Sequence, residues 1–344
     1  MTSARGRCRI ITNKRLCGSL PPAPVGLKPD PQVWEYTEGG PLTTEEAAPA
    51  KYSLEKPVDG TVLYEKLQKD IVALTLNRPQ VHNALFPPDQ FNEVSRKIAM
   101  AVDDDDVKVI ILRGAGKSFC SGDDLHLAPY DTYGGAPGTR PSQRVRVKAV
   151  HTWLNGMYRS LLYCPKTIIC QAHGWTIGVG LAMLMCCDMA VAGERARFSQ
   201  RQQRVGFSGL SMGWQYTQLF QLGYKRMREW QLTGKTIDAQ TALDWGVINS
   251  VVPEDELEAE TMRFAQTVAL HPADGLMIAK THTLMMLDLM GMNGQFTAGA
   301  LAYPLFTNLK WDGEDFNFLK QREELGVTGA FNAREQRWRE LGWG

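Results

Sequence analysis

The stretch His173-Gly-Trp-Thr-Ile-Gly-Val-Gly-Leu-Ala-Met-Leu-Met-Cys-Cys-Asp188 joins a glycine-punctuated turn to an apolar segment that is typical of a buried helix. Gly178 and Gly180 carry no Cβ, so the backbone can approach a ligand closely there. N–H groups in the first turn of a helix have no intrahelical partner and can hold an oxygen that becomes negative during a reaction. Two thiols are the only ionisable side chains between Gly178 and Asp188. The group that transfers a proton must therefore come from elsewhere in the chain.

Composition excludes several classes of protein. The 344 residues carry a net charge of +1, which argues against nucleic acid as a partner. No apolar stretch reaches the roughly 18 to 20 residues of a transmembrane helix, so we expect no membrane. The seven cysteines are an odd number without the spacing of a zinc site, and we expect no metal. Their apolar surroundings favour a reducing compartment, and we expect the cytoplasm.

Three regions are expected: an N-terminal extension over 1–57, a core over 58–255 and a C-terminal helical region over 256–344. The first 29 residues hold six basic side chains and no acid, and prolines follow them. This extension is either flexible or in contact with a partner. The alternative is a mitochondrial transit peptide, which would place the protein in the mitochondrial matrix.

The core has the pattern of an α/β protein made of repeated ββα units. Strands are predicted at 61–66, 71–76, 107–112, 167–170, 189–192 and 247–252. Helices are predicted at 88–102, 144–163, 179–187, 216–222, 226–232, 239–245, 254–270 and 275–293. On the first of these helices Phe91, Val94, Ile98 and Val102 share one face.

Four motifs stand in order along the core. They are Asn77-Arg-Pro-Gln-Val-His-Asn-Ala-Leu85, Lys117-Ser-Phe-Cys-Ser-Gly-Asp-Asp-Leu125, Cys164-Pro-Lys-Thr-Ile-Ile-Cys-Gln-Ala-His-Gly174 with Gly178-Val-Gly180, and Ala192-Gly-Glu-Arg-Ala-Arg-Phe198. Together they resemble the motifs of the crotonase (enoyl-CoA hydratase/isomerase) superfamily. The resemblance runs from about 60 to 270 and more weakly to 335. It implies a spiral of ββα units with a C-terminal helical trimerisation region, assembled as a homotrimer or a dimer of trimers.

The resemblance also implies an acyl-CoA thioester substrate. Coenzyme A would be part of that substrate, and no other cofactor is expected. The thioester oxygen would lie between the backbone N–H groups of Asp123 and Val179, which would stabilise an enolate. The implied substrate-binding residues are Val81, His82, Ala84, Ser121, Asp124, Leu125, His126, Trp175 and Arg201.

Several of these residues have a second interpretation. His126, placed for the CoA phosphates, could be an exposed loop histidine. Asp124 could accept backbone N–H groups in its own loop. Arg201 could bind a carboxylate or phenolate of the acyl group or belong to a solvated turn, and Trp175 could line an acyl pocket or pack in the core.

The chain departs from the family at the two glutamates that hydratases use, because Ala182 and Gln202 stand at those positions. A carboxamide can orient water but cannot accept a proton at neutral pH, so paired-carboxylate hydration is not supported. The remaining candidates for proton transfer are Asp123 and Tyr303. The latter falls near a tyrosine of the hydroxycinnamoyl-CoA hydratase-lyase branch. Weaker candidates are Tyr130, Tyr133 and His151.

We therefore expect a lyase or a C–C hydrolase, since bond cleavage can itself generate the enolate. One alternative is a cyclic β-diketone or ring-opening hydrolase on the same fold, with or without CoA. The other is a non-catalytic CoA-binding or scaffold subunit that has lost the chemistry.

Overall fold

The structure is a computed structural model that describes residues 60–125, 142–206, 213–306 and 309–343. The N-terminal extension, His126, Tyr130 and Tyr133 lie outside these residues. The strands are β1 (Val62–Gln68), β2 (Asp70–Leu76), β3 (Val107–Gly114), β4 (Thr167–Ala172), β5 (Trp175–Ile177), β6 (Met189–Gly193), β7 (Arg197–Ser199), β8 (Thr236–Asp238) and β9 (Ser250–Val252).

Helices follow most of the strands. They are α1 (Asp89–Asp103), α2 (Gln143–Ala149), α3 (Asn155–Leu162), α4 (Val179–Met185), α5 (Gln215–Thr233), α6 (Ala239–Asp244), α7 (Leu257–Ala269), α8 (Ala273–Leu289), α9 (Gly294–Phe306) and α10 (Phe318–Arg339). Short 3₁₀ turns cover Pro79–Val81 and Arg201–Val205. No helix among these residues has the length and apolar character needed to cross a membrane.

The main sheet has the order β1-β2-β3-β4-β6-β9. β1 and β2, which correspond to the first two predicted strands, form an antiparallel hairpin, and the later neighbours pair in parallel. Residues 71–76 of β2 are all buried, as expected for a strand of a parallel sheet that is covered on both faces. On α1, Phe91, Val94 and Ile98 are buried, which confirms the predicted face. The α/β architecture is the one that the sequence predicts.

A second sheet, β5-β7-β8, was not predicted. Each of its strands has only three residues. An alternating pattern needs about four to eight residues to be recognised, so these strands carry no periodic signal. The sheet matters for the site because β5 leads directly into α4.

The predicted helix over 144–163 is present but interrupted. A π-helical segment, Val150–Leu154, lies between α2 and α3. Such a segment widens one turn and is frequent near functional sites. Sequence periodicity does not reveal it, because a segment of five residues is too short to show a period of its own.

Two segments lie against each other where helix α4 begins. We call residues 116–125 the first loop and residues 173–179, which include β5, the second loop. The N–H of Cys120 donates to the Trp175 carbonyl at 3.0 Å, and the Ile177 N–H donates to the Cys120 carbonyl at 2.9 Å. Cys120 and Thr176 form an isolated parallel bridge, so the two loops run side by side.

Helix α4 begins as the sequence predicts. Gly178 has φ +55° and ψ −113°, a conformation that side chains with a Cβ rarely adopt. Every residue from Val179 to Met185 is buried. All five cysteines among the described residues are free and buried, which agrees with their predicted use as small core side chains.

We predict that Gly180→Ala lowers both stability and activity. A Cβ at this position would lie 2.6 Å from both the Cβ and the carbonyl oxygen of Cys120. Relieving the clash requires the loops to separate, at a cost of about 1–3 kcal/mol. Denaturant unfolding measures the change.

The matched control is Gly156→Ala on α3, where no atom lies within 4 Å of the new methyl group. Ala is the better helix former, so this variant should be stabilised by about 0.5–1 kcal/mol. Equal stability of the two variants would contradict a tight contact between the loops.

Candidate active site

The two loops touch at the glycines that precede Asp123 and Val179. A Cβ on Gly122 would lie 3.1 Å from the Ile177 carbonyl oxygen and 3.9 Å from the Gly178 Cα. The Cys120–Thr176 bridge is parallel, so the two loops run in the same direction, and Asp123 and Val179 directly follow the two touching glycines. The structure thus brings together the two residues that the sequence pairs.

The N–H groups of these two residues donate to no other residue in the described part of the chain. Val179 is the first residue of α4, so its N–H has no intrahelical partner, and the Asp123 N–H faces only its own carboxyl group. The amides next to Asp123 do have acceptors: the Leu85 N–H donates to the Gly122 carbonyl at 2.8 Å, and the Asp124 N–H donates to the Leu85 carbonyl at 2.9 Å. Two neighbouring N–H groups without an acceptor on another residue form an arrangement that can hold an oxyanion.

Asp123 is accessible to solvent, yet protein surrounds its carboxyl group closely. Burial raises the pKa of this carboxyl group to about 6. A hydrogen bond from the backbone N–H of Asp123 lowers the pKa, and the negative charge of Asp124 raises it. A carboxyl group with this pKa can take up and release a proton near neutral pH.

Gln202 lies next to the second loop, on the 3₁₀ turn Arg201–Val205. Its Oε1 would be 3.4 Å from a Cβ on Gly178. Both polar atoms of its carboxamide are buried, and neither has a hydrogen-bond partner among the described residues. Buried amides are normally paired, so this one points to a ligand or water.

The predicted CoA-binding residues lie on two segments that hydrogen bonds tie together. Ser121 donates its N–H to the His82 carbonyl at 3.0 Å and its hydroxyl to the Val81 carbonyl at 3.3 Å. The Nδ1 of His82 lies 3.0 Å from the Ser118 hydroxyl. Val81, His82, Ser121 and Leu125 keep accessible surface, whereas Ala84 is buried. A role in binding CoA stays a prediction for all of them.

Asp124 has a structural partner. Its carboxylate pairs with the Arg78 guanidinium at 3.0 Å, and both side chains are largely buried. Arg78 also donates to the Ala84 carbonyl. The pair therefore braces the turn at 79–85 against the first loop. This ion pair was not predicted, and the expected acceptance of backbone N–H groups by Asp124 stays a prediction.

Arg201 and Trp175 contact each other. The guanidinium carbon lies 4.8 Å from the centre of the Trp175 ring, and Nη1 lies 3.8 Å from a carboxylate oxygen of Glu335. Nε of Arg201 is buried without a partner in the described residues. Arg201 thus already faces one carboxylate, and its role toward a substrate anion stays a prediction.

Tyr303 lies on α9 and packs against the main hydrophobic core. Helix α9 contacts α2 and the π-helical segment. Its proposed role as a general acid stays a prediction, as does that of His151, which is exposed within that segment.

Sequence reasoning missed Asn83 and Tyr158. Asn83 is fully buried, with φ +55°, and its amide donates to the carbonyls of Ala115, Ser118 and Phe119. An Asn-Ala dipeptide between prolines could have indicated this turn, because Asn tolerates positive φ.

Tyr158 is fully buried on α3, and its hydroxyl has no partner in the described part of the chain. The apolar periodicity of an amphipathic helix does not show that one of its buried side chains carries an unpaired hydroxyl.

The C-terminal helix α10 contacts both sides of the site. Arg322 donates to the Leu125 carbonyl at the end of the first loop, at 3.0 Å. At its other end, Glu335 pairs with Arg201 and Arg204 on the 3₁₀ turn that carries Gln202. The C-terminal region therefore packs across the body of its own chain.

Among the described residues, no group of three or more His, Cys, Asp or Glu side chains could hold a metal ion.

Known proteins share this architecture. A crystal structure of an enoyl-CoA hydratase/isomerase from Xanthobacter autotrophicus Py2 has 25% identity and a TM-score of 0.67, covering 81% of this chain and 98% of that chain. An enoyl-CoA hydratase from Mycobacterium smegmatis has 25% identity and a TM-score of 0.70, with 82% and 96% covered. A probable enoyl-CoA hydratase from the same organism has 27% identity and a TM-score of 0.64, with 72% and 93% covered.

The family model described as enoyl-CoA hydratase/isomerase matches residues 66–303, which is more than half of the chain. The match includes both loops, α4 and the 3₁₀ turn that carries Gln202. The chain therefore belongs to the enoyl-CoA hydratase/isomerase family, and its fold is that of the crotonase superfamily.

Proposed function

We propose that this protein is an acyl-CoA lyase that cleaves a carbon–carbon bond next to the thioester. The observation that carries the proposal is the pair of N–H groups at Asp123 and Val179 that donate to no other described residue, beside a carboxyl group whose pKa is raised to about 6. Two preorganised donors in a site with little water can stabilise an enolate by several kcal/mol. CoA belongs to the substrate in this proposal and is not a separate cofactor.

The reaction can be written for a 3-hydroxyacyl thioester. The Asp123 carboxylate takes the proton of the hydroxyl group, and the C3–O bond becomes a double bond as the C2–C3 bond breaks. The electron pair of the broken bond becomes the enolate, whose oxygen lies between the two N–H groups. The Asp123 carboxyl group then returns its proton to C2, which leaves an aldehyde and a shortened acyl-CoA.

Addition of water to an enoyl-CoA is less well supported. Position 182 is an alanine that is fully buried on α4, and position 202 carries a carboxamide. Neither side chain can accept a proton from water at neutral pH. Cleavage needs only one group that takes the proton from the C3 hydroxyl and later gives it to C2, and the Asp123 carboxyl group can do both.

Gln202 favours a second candidate, a C–C hydrolase that acts on a β-diketone. Both polar atoms of its carboxamide are buried without a partner in the described residues, so they could orient a water molecule that attacks a carbonyl. Hydrolysis would give a carboxylic acid in place of the aldehyde. The identity of the product therefore separates the two candidates.

We also propose that the protein is a homotrimer or a dimer of trimers. Helix α8 is rich in apolar side chains, yet none of its residues is buried within one chain. Ile278 is 69% exposed and Leu289 is 76% exposed. Contiguous exposed apolar surface of this kind marks an interface between proteins.

The first prediction concerns Asp123. Asp123→Asn removes the proton carrier but keeps the backbone N–H, so kcat should fall about 10²- to 10⁴-fold with little change in KM. In the unaltered protein, kcat/KM should decline as the pH drops below about 6, because protonation of the carboxyl group removes the base. Turnover is measured on a panel of 3-hydroxyacyl-CoA and 3-oxoacyl-CoA thioesters.

Asp105→Asn is the control, because Asp105 is an exposed carboxylate between α1 and β3. It should leave the rate and the pH profile unchanged. An Asp123→Asn variant with normal kcat would remove Asp123 from the mechanism. Tight CoA binding without turnover of any thioester would instead favour the non-catalytic subunit.

The second prediction separates lyase from hydrolase. Gln202→Leu keeps the approximate size of the side chain but cannot orient water. A lyase should lose less than about tenfold in kcat, whereas a hydrolase should lose about 100-fold or more. Product analysis by mass spectrometry accompanies the kinetics, and a carboxylic acid product would overturn the lyase proposal.

The third prediction is that Ile278→Asp dissociates the oligomer, since a charge in an apolar interface is costly. Light scattering coupled to size-exclusion chromatography should give three or six chains for the unaltered protein and fewer for the variant. Asn92→Asp, on the exposed side of α1, is the control. An unaltered protein that is monomeric at micromolar concentration would contradict the proposal.

A further inference from the structure

Three arginines share one carboxylate beside the 3₁₀ turn that carries Gln202. Arg201 and Arg204 lie on that turn, and Arg334 lies on α10 next to Glu335. Glu335 forms an ion pair with each of the three, and no second carboxylate among the described residues pairs with any of them. The side chains of Arg204 and Arg334 are almost entirely buried. Three positive charges thus face one negative charge largely away from water, which is costly unless an anion joins them.

The pKa values of the two buried arginines agree with this excess of positive charge. Burial lowers the pKa of Arg334 to about 10; the Glu335 carboxylate raises it, and the charges of Arg201 and Arg204 lower it further. Burial and the charge of Arg201 also lower the pKa of Arg204, although Glu335 raises it. One carboxylate therefore does not balance the repulsion between the three guanidinium groups.

Arg201 is the member of this cluster that makes no hydrogen bond to Glu335. Arg204 donates from Nη1 to one carboxylate oxygen, and Arg334 donates from Nε to the other at 2.8 Å. Nη1 of Arg201 lies 3.8 Å from the second oxygen, which is too far for a hydrogen bond. Its Nε is buried without a partner in the described part of the chain. The donors of Arg201 can therefore serve an acceptor that the protein does not supply.

A ligand can reach the Arg201 guanidinium, because the side chain is 22% exposed. The guanidinium carbon lies 4.8 Å from the centre of the Trp175 ring, within the range of a cation–π contact. Trp175 also keeps accessible surface. A guanidinium held against an aromatic ring keeps the N–H groups at its edge, where they match the two oxygens of a carboxylate. The contact with Trp175 thus fixes the group without using its donors.

The second loop connects this guanidinium to the candidate oxyanion site. Trp175 lies three residues before Gly178, which corresponds to about 10 Å of extended chain at about 3.3 Å per residue. Gln202 directly follows Arg201 and places its Oε1 3.4 Å from a Cβ on Gly178. An anion on Arg201 would therefore lie on the order of 10 Å from the thioester oxygen. This distance fits the far end of an acyl group.

We propose that Arg201 is a specificity-determining residue that binds a carboxylate at the far end of the acyl group. The substrate class is then the CoA monothioester of a dicarboxylic acid, with a hydroxyl group at C3 as the lyase reaction requires. A carboxylate can accept two parallel hydrogen bonds from a guanidinium, and it adds a negative charge where the arginine cluster has an excess of positive charge. The inference rests on the proposed function for the position of the thioester.

The test compares two series of CoA thioethers, which contain no thioester and cannot be cleaved. One series carries an S-(ω-carboxyalkyl) group and the other the S-(ω-carbamoylalkyl) group of the same length, with chains of about four to eight carbons. The carboxylate and the carboxamide have nearly the same shape and differ in charge. At the best chain length, calorimetry should show that the unaltered protein binds the carboxylate at least about tenfold more tightly. Arg201→Gln should bind both ligands equally.

Two further variants serve as controls. Arg195→Gln removes the same charge from a side chain that is 76% exposed between β6 and β7, and it should keep the full preference. Arg201→Lys keeps the charge but lacks the planar fork, so it should keep part of the preference even if Arg201→Gln does not fold. If Arg201→Gln binds both ligands equally more weakly than the unaltered protein and their ratio is unchanged, Arg201 contacts the CoA part, and the proposal is overturned.

The outcomes separate this inference from the proposed function. If the unaltered protein prefers the carboxylate but cleaves no thioester, the lyase proposal fails while Arg201 keeps its role in binding. If the protein cleaves neutral 3-hydroxyacyl-CoA thioesters and shows no preference at any chain length, the inference about Arg201 fails while the lyase proposal stands.

Discussion

The contact between Cys120 and the second loop is the constraint on which the site depends. Backbone hydrogen bonds from Cys120 to Trp175 and Ile177 fix the register of the two loops. That register brings the N–H of Asp123 next to the N–H of Val179. Gly180 lies directly under Cys120, so helix α4 cannot move away without breaking the same contact. The same interactions therefore stabilise the fold and position the N–H groups of the candidate oxyanion site.

The C-terminal helix adds a second constraint from the opposite side. Glu335 receives ion pairs from Arg201, Arg204 and Arg334, and the Arg204 side chain is fully buried. Breaking a buried ion pair by removing one partner typically costs about 3–5 kcal/mol. Because Arg201 and Arg204 flank Gln202 on one short 3₁₀ turn, the same cluster holds the Gln202 carboxamide beside Gly178. The environment of Gln202 thus depends on residues more than 130 positions away in sequence.

The sequence predicted what depends on local pattern and on family motifs. The hairpin, α1, β3, β4 and the buried helix after Gly178 follow from apolar runs and glycine positions, and they are present. The short strands β5, β7 and β8 and the π-helical segment were missed because they carry no periodicity. Tyr158 was missed for a different reason: apolar periodicity does not show whether the hydroxyl of a buried tyrosine has a partner in the tertiary fold. The ion pair of Asp124 with Arg78 likewise depends on contacts that spacing alone does not determine.

Several polar groups near the contact between the loops lack a partner on another residue, within the part of the chain that the structure describes. They are the N–H of Val179 and both polar atoms of the Gln202 carboxamide, and the Asp123 N–H faces only its own carboxyl group. A buried polar group without a partner costs stability in a folded chain. A bound thioester could satisfy several at once, so part of the cost of leaving them unpaired would be recovered on binding. Groups that pair more strongly with the enolate than with the substrate would then lower the barrier to cleavage.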